Sequence, residues 1–510
     1  MKQFSKYFFP FLLIFLTLFL AYVNYVPGTF LSGWDSLHPE FNLALYLKRI
    51  FWGVWQAHQG VGAVAAQAHA AELTRLPLVA ILTLILPLNL VRYSFFFLTL
   101  GTGALGMYYL CRYLLSQQVN KQTNSASFIA ALFYLLNLAT LQQYYVPLEM
   151  FAVHFASLPW LIFLSTSYLR EGKKKNLIWF SLVTLFSSSM AHTATLFYVY
   201  FGAFCLFIVT VILLKRRKDI LKRGVVLVFL TAVLNLFWLA PNIYYILNHT
   251  KDVERARITQ VFSDEASLQS RAFGDVRDLG LLKNFLFNWR EYSFQKGTFV
   301  DLMDEWNTHL GRVGVTGIGY ITIGLALIGI IVVFFRKNKY ALSLLPVFLF
   351  AVFFLVNENP PFTGIFAALR SSFPILGEAL RFPFTKFSFL ATACLAIYLA
   401  YSSQLILQVL AKIKLGFVWL VAISLALVYF MLPAFQGKLI SPSMKVSIPD
   451  SYFQAFKWFR EKDPNARVAK LPMQSFWGWN FYSWGYQGAG FTWFGVPQPT
   501  LDREFDRWGL

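Results

Sequence analysis

"YFFPFLLIFLTLFLAYVNYV", residues 7–26, is followed five residues later by "SGWDSLHPEFN", residues 32–42. The first run carries no charge and is long enough to cross a hydrocarbon core, which takes about 20 apolar residues in a helix. The second sets Asp35, His38 and Glu40 at the mouth of that helix. A carboxylate beside hydrocarbon is costly, so an ionisable cluster there reads either as a functional site or as a wet loop that caps the helix.

Composition generalises the first run to the whole chain. Of 510 residues, 57% are hydrophobic, 19% aromatic and only 13% charged, with a mean hydropathy of +0.55. Such a chain is a polytopic membrane protein rather than a string of soluble domains. The apolar runs are continuous instead of alternating, which predicts an all-α bundle and excludes a barrel. Expected spans are 7–26, 93–112, 128–143, 150–169, 177–191, 194–214, 224–247, 313–335, 340–356, 387–410 and 415–434, eleven in all. The shorter run "LPLVAILTLILPL", 76–88, is expected to lie in or dip into the outer interface.

The formal charge of +20 would suggest nucleic acid as the partner of a soluble protein. Here the basic residues sit in compact loops between spans: "REGKKK" (170–175), "KRRKDILKR" (215–223), "RKNK" (336–339) and "KIK" (412–414). That is the positive-inside pattern, so the partner is a lipid bilayer and not nucleic acid. It places the N-terminus in the cytoplasm and the C-terminus outside. The acidic residues, apart from Glu171 and Asp219, and all seven histidines then fall toward the outer face. Cys111, Cys205 and Cys394 lie inside spans, leaving neither a disulfide framework nor a thiolate zinc site.

The expected organisation is a transmembrane domain over 1–434 and an extracytoplasmic C-terminal segment of α+β character over 435–510. Within the first, 27–92 is an outer loop with interfacial helices, 248–312 a long outer loop, and 357–386 a re-entrant outer loop broken by Pro and Gly. The C-terminal segment should open with an amphipathic helix, turn at Asp463-Pro464-Asn465, and continue through a short strand into Gly- and aromatic-rich turns. Its 76 residues are expected to be either an incomplete domain or a flap packed on the membrane part, with tryptophans near the Asp35 mouth. For the six rings Trp477, Trp479, Tyr482, Trp484, Tyr486 and Trp493, packing and sugar stacking both remain open.

One span, an outer loop opening on an acidic motif, an interfacial helix and then short paired spans: this layout resembles the GT-C superfamily of membrane glycosyltransferases. "GWDSLHPEFN" is similar to that superfamily's first-loop Asp motif, and Asp35 matches its catalytic carboxylate. "YYVPLEMFAVHFASLPW" (144–160) resembles the second-loop region, with Glu149 the only acid where oligosaccharyltransferase relatives carry a cluster. "LRFPFTKFS" (380–388) and "RVAKLPMQSFWGWNFYSWGYQGAGFTWFG" (467–495) are similar to bacterial arabinofuranosyltransferase-D-like and YfhO-like proteins. The resemblance implies transfer of a sugar from a polyprenyl-phosphate carrier to a cell-envelope glycan or lipid-linked acceptor.

The residues fit that chemistry on their own terms. An attacking hydroxyl must lose a proton, which one positioned carboxylate, Asp35, accepts. No second acid is needed where the leaving group is a phosphate, unlike in a glycosidase. Arg381 and Lys386 flank Pro383 at a helix start, where cations and the positive end of the dipole together suit a phosphate; interfacial snorkelling is the structural alternative. Glu40, His38, Glu149 and His154 are second-rank substrate-site residues. Asp35 and Glu40, with His38, are also a candidate oxygen-rich set for a divalent cation. The rival class is a transporter, a flippase or a non-catalytic scaffold for lipid-linked glycans. A transporter calls for ionisable groups at mid-membrane, whereas this chain keeps its acids at the outer edge.

Overall fold

The computed structural model describes the chain except for residues 1–3, 59–61, 65–68, 116–120, 256–264, 267, 295, 374–376, 378, 470–478 and 502–510. It is an all-α polytopic bundle. Among the described residues, eight helices are long and apolar enough to cross a membrane, or ten when each of two bent pairs counts as one span. The expected crossing at 177–191 is the one that differs. Its helix, Lys174–Phe186, has 13 residues and gives way to a 3₁₀ helix over Ser187–His192. It still joins the two ends of the bundle. Arg170 and Lys215, on either side of it in sequence, line one cavity at the basic end, whereas Ser188 meets Thr74 (3.2 Å) at the Asp35 end. One helical and one 3₁₀ segment together reach about 30 Å, so the tighter winding supplies the missing length.

Each bent pair is broken by an asparagine that satisfies the backbone it frees, as a hydrocarbon surround requires. Between Gln122–Leu135 and Leu138–Tyr145, bent by 41°, Asn137 adopts extended geometry. Its Oδ1 accepts from Thr140 N–H (3.0 Å) and its amide donates to the carbonyls of Phe133 and Tyr134. Between Lys218–Leu234 and Leu236–Lys251, bent by 74°, the Asn235 amide donates to Thr231 O (2.8 Å) and its Oδ1 accepts from Trp238 Nε1 (2.7 Å).

Pro383–Lys412 is the central helix, with 89% of its span window buried against 28% for the first span. The first span therefore has most of its surface free for lipid. Close approach to the central helix is set by Gly329 in Val315–Phe335: a Cβ there would lie 1.9 Å from Tyr398 O. Small residues at such crossings let helix backbones touch.

At the Asp35 end the segments between helices interlock. Phe30 and Leu31 pair antiparallel with Val446 and Lys445. The tail carries the expected helix, Asp450–Arg460, and then turns at 461–465. Its small core of Val446, Ile448, Phe456, Tyr486, Phe491 and Val496 takes in Phe30 and Phe41 from the first loop. The long loop contributes a hairpin, Arg290–Ser293 with Thr298–Asp301, and 357–386 holds a helix over Thr363–Ser372.

Gly329→Ala should destabilise the bundle by about 1–3 kcal/mol, because a backbone oxygen cannot move aside as a side chain would. Gly324→Ala, in the same helix with open space around it, should be neutral or slightly stabilising. Thermal unfolding of both variants in detergent checks the pair; equal effects would contradict the tight crossing.

Candidate active site

The loop after the first span is held in an unusual shape. Trp34 (φ 47°) and His38 (φ 53°) are left-handed, a conformation that bulky residues adopt only under constraint. The tail supplies part of that constraint: Trp34 N–H donates to Gln487 O (2.8 Å) and Ala489 N–H to Trp34 O (2.9 Å). The long loop supplies more, since Trp34 Nε1 donates to the buried carboxylate of Glu291 (2.8 Å). Burial pushes the Glu291 carboxyl above the usual range, against the pull of that indole. Asp35, between these anchors, is exposed.

His38 and Glu40 face inward. The His38 ring, fully buried, bridges Glu40 Oε1 (2.8 Å at Nδ1) and Ser32 Oγ (2.7 Å at Nε2). Burial holds its pKa below 6.5 in spite of Glu40. The pair closes the loop on itself instead of pointing with Asp35 toward solvent. Among the described residues no group of three or more His, Cys, Asp or Glu side chains is placed to hold a metal ion, so the divalent-cation set of Asp35, Glu40 and His38 is not assembled here.

Beneath the loop lies a buried charge network that sequence reasoning largely missed. Arg92 donates to Ser36 Oγ (3.1 Å) and pairs with Glu149 (2.9 Å). Arg75 pairs with Glu149 (3.2 Å) and with Glu72. Glu72 accepts from Tyr46 (2.7 Å), with His192 at 3.6 Å. Two arginines thus balance two glutamates. Burial works against the Arg75 charge, but Glu72, Tyr46 and Glu149 hold its pKa well above the usual value, while burial pushes Tyr46 up. The one signal in the sequence was an arginine, Arg92, inside the apolar run "NLVRYSFFF" (89–97).

Arg381 and Lys386 lie at the start of the central helix, whose N-cap residue, Phe382, makes no side-chain cap bond. Lys386 is buried, its Nζ 3.3 Å from Phe382 O. The Arg381 carbonyl accepts from Ser270 Oγ (3.1 Å). Aromatic rings connect this point to the Asp35 loop: Phe382 to Trp289 (6.5 Å between centroids) and Trp289 to Trp34 (5.0 Å). His154 is not part of this assembly. It is buried between Tyr200 and Phe389 (6.1 Å each), and among the described residues neither ring nitrogen has a hydrogen-bond partner.

Of the tail rings, Trp479 lies against Trp34 (6.0 Å). Tyr482, Trp484 and Tyr486 stack together in the tail core, and Trp493 packs near Arg49. Trp477 lies outside the described residues.

No protein-family model and no curated protein sequence matches the chain. Solved structures do. The cryo-EM structure of arabinofuranosyltransferase AftD from mycobacteria is similar over 98% of this chain, with a TM-score of 0.59 and 13% identity. Two structures of a point mutant of that enzyme give TM-scores of 0.57 and 0.51, also at 13% identity and 98% coverage. The likeness is one of fold. This chain spans about a third of AftD, covering 32% of the first structure and 33% of the others.

Glu149→Gln should cost about 3–5 kcal/mol, since it leaves Arg92 and Arg75 short of a buried counter-charge. Arg92→Met combined with Glu149→Gln should recover part of the loss. Thermal unfolding of the single and double variants measures the coupling; additive losses would contradict the network.

Proposed function

We propose that this protein is a membrane glycosyltransferase that moves a sugar from a polyprenyl-phosphate donor to a cell-envelope glycan or lipid-linked acceptor at the outer membrane face. The observation that carries the proposal is an exposed carboxylate, Asp35, on a loop braced from three sides at the mouth of a bundle that shares its fold with an arabinofuranosyltransferase. A polyprenyl-phosphate arabinofuranose is accordingly the first donor to test.

In the proposed step, Asp35 takes the proton of an acceptor hydroxyl as its oxygen attacks the anomeric carbon. The bond from that carbon to the phosphate oxygen breaks, and polyprenyl phosphate leaves with the electron pair. Direct displacement inverts the anomeric centre. Arg381 and Lys386 are the proposed ligands of the departing phosphate, whose charge grows in the transition state. A positioned base contributes about 10²- to 10⁴-fold. His38, Glu40 and Glu149 act in this scheme by shaping the loop under Asp35. His154, by its placement, belongs to the packing of its helix.

The basic loops set the proposed orientation, with N-terminus cytoplasmic and C-terminus outside. With intact cells, a membrane-impermeant thiol reagent should label Asp301→Cys, and Asp219→Cys only after permeabilisation. The reverse pattern would overturn the orientation.

Asp35→Asn should reduce transfer by about 100-fold or more and leave the unfolding temperature nearly unchanged, because an exposed carboxylate contributes little packing. Assay with the lipid-phosphate sugar and a glycan acceptor decides this. Full turnover by the Asn variant would remove Asp35 as the base.

A further inference from the structure

The end of the bundle opposite Asp35 holds a second candidate site. The helix that begins at Leu88 runs from the Arg92 network to Tyr113 and Leu114, about 30 Å away at the helical rise. There a cavity of about 160 Å³ opens between four helix ends, and Arg170, Lys215, Arg217, Lys337 and Lys339 line it. That is several times the ~30 Å³ share of one water molecule.

Part of this charge has a structural use. Arg170 lies over Tyr113 (5.4 Å) and Lys215 over Tyr340 (4.4 Å). Lys339 donates to Leu214 O (2.7 Å), and Arg217 pairs with Asp219 (2.9 Å). Cations at helix C-termini also answer the dipole. The four helices ending at Leu114, Glu171, Lys215 and Phe335 contribute about −2 together, at roughly half a charge each.

These terms do not use up the five cations. Glu171 does not itself line the cavity: it accepts from the hydroxyl of the lining Tyr113 (2.9 Å), and Lys173 (2.9 Å) answers its charge. With Asp219 counted at −1, a surplus of about two positive charges faces the cavity. A helix start adds to it: Lys218–Leu234 has Arg217 at its N-cap with no side-chain cap bond, and Ile220 of its first turn lines the same space. Aromatic rings and carbonyls hold the cations in place but do not neutralise them. An oxyanion would.

We propose that this cavity binds a phosphate ester anion, at the membrane face opposite the transfer site. A lipid headgroup of that leaflet and a free phosphate share this chemistry, and the test separates them. Native mass spectrometry of the detergent-solubilised full chain would compare phosphatidylglycerol with diacylglycerol, which has the same tails and no phosphate. Inorganic phosphate would compete against chloride at equal ionic strength.

The variant Arg170→Gln/Lys337→Gln/Lys339→Gln should weaken phosphatidylglycerol retention about 100-fold, at roughly fivefold per lost cation. The control Lys174→Gln/Lys175→Gln/Lys222→Gln removes equal charge from exposed positions outside the cavity and should change it less than threefold. Should the triple variant fail to fold, Lys337→Gln alone, at an exposed position, should still show about fivefold. Competition by phosphate would support recognition of the anion itself; retention without competition would support a lipid-borne headgroup. Equal losses in the two triple variants, or no preference for phosphatidylglycerol over diacylglycerol together with no phosphate competition, would overturn the proposal.

Discussion

The contact on which the Asp35 end of the molecule depends is the pairing of Arg92 with Glu149, 2.9 Å apart near the start of two membrane helices. An arginine at this depth is tolerable only when its charge is met, and an isolated buried ion would cost several kcal/mol. Once the pair forms, Nη2 of Arg92 is fixed, and it donates to Ser36, the neighbour of Asp35, and to Pro147 O (3.4 Å). Arg75 joins the same glutamate, so the interfacial stretch after the first loop is tied to the same point. Electrostatics thus convert two transmembrane helices and one interfacial segment into a rigid floor for a short loop.

A floor alone would leave the loop free to rock. The tail and the long loop close it from above: the Trp34 backbone exchanges hydrogen bonds with Gln487 and Ala489, and its ring is held by Glu291. This explains how two left-handed non-glycine residues survive within five positions. Each costs of order 1 kcal/mol or more and persists only where its surroundings over-determine it. Within the described tail, strand pairing is limited to one two-residue antiparallel ladder, Asn480–Phe481 with Gln487–Gly488. Its two-residue pairings, Phe30 with Val446 and Asn480 with Gly488, contribute little until its aromatic core closes over Phe30 and Phe41.

The sequence made the bundle legible because its signal is collective: every span repeats the same demand for apolar length, and the basic loops mark one end. The 177–191 crossing shows where that signal weakens. A window of apolar residues has no way of announcing that "SSSMAH" will wind as 3₁₀. The candidate site was legible in part. Asp35 stood out because a charge at a helix mouth is rare. The partnership of Glu149 with Arg75 and Arg92 did not, because it joins residues 57 and 74 positions apart. Such pairings are set by helix packing rather than by local pattern. Arg92 was the one clue within reach, and placing the span boundary one residue beyond it hid that clue.

Three acidic groups of the first loop therefore end in different surroundings. Glu40 is consumed by His38, and Glu72 by Arg75 and Tyr46, each in a place where an unpaired carboxylate would be too costly to keep. Asp35 sits three residues from both Ser32 and His38, yet faces solvent. The proposed proton acceptor has to meet its substrate, whereas a structural carboxylate has to be shielded from it. The reversal of the chain at Trp34, enforced by the tail, turns one acid outward while the next turns in. The tail's backbone contacts thus set the direction in which the carboxylate points, which is a more exacting demand than covering apolar surface.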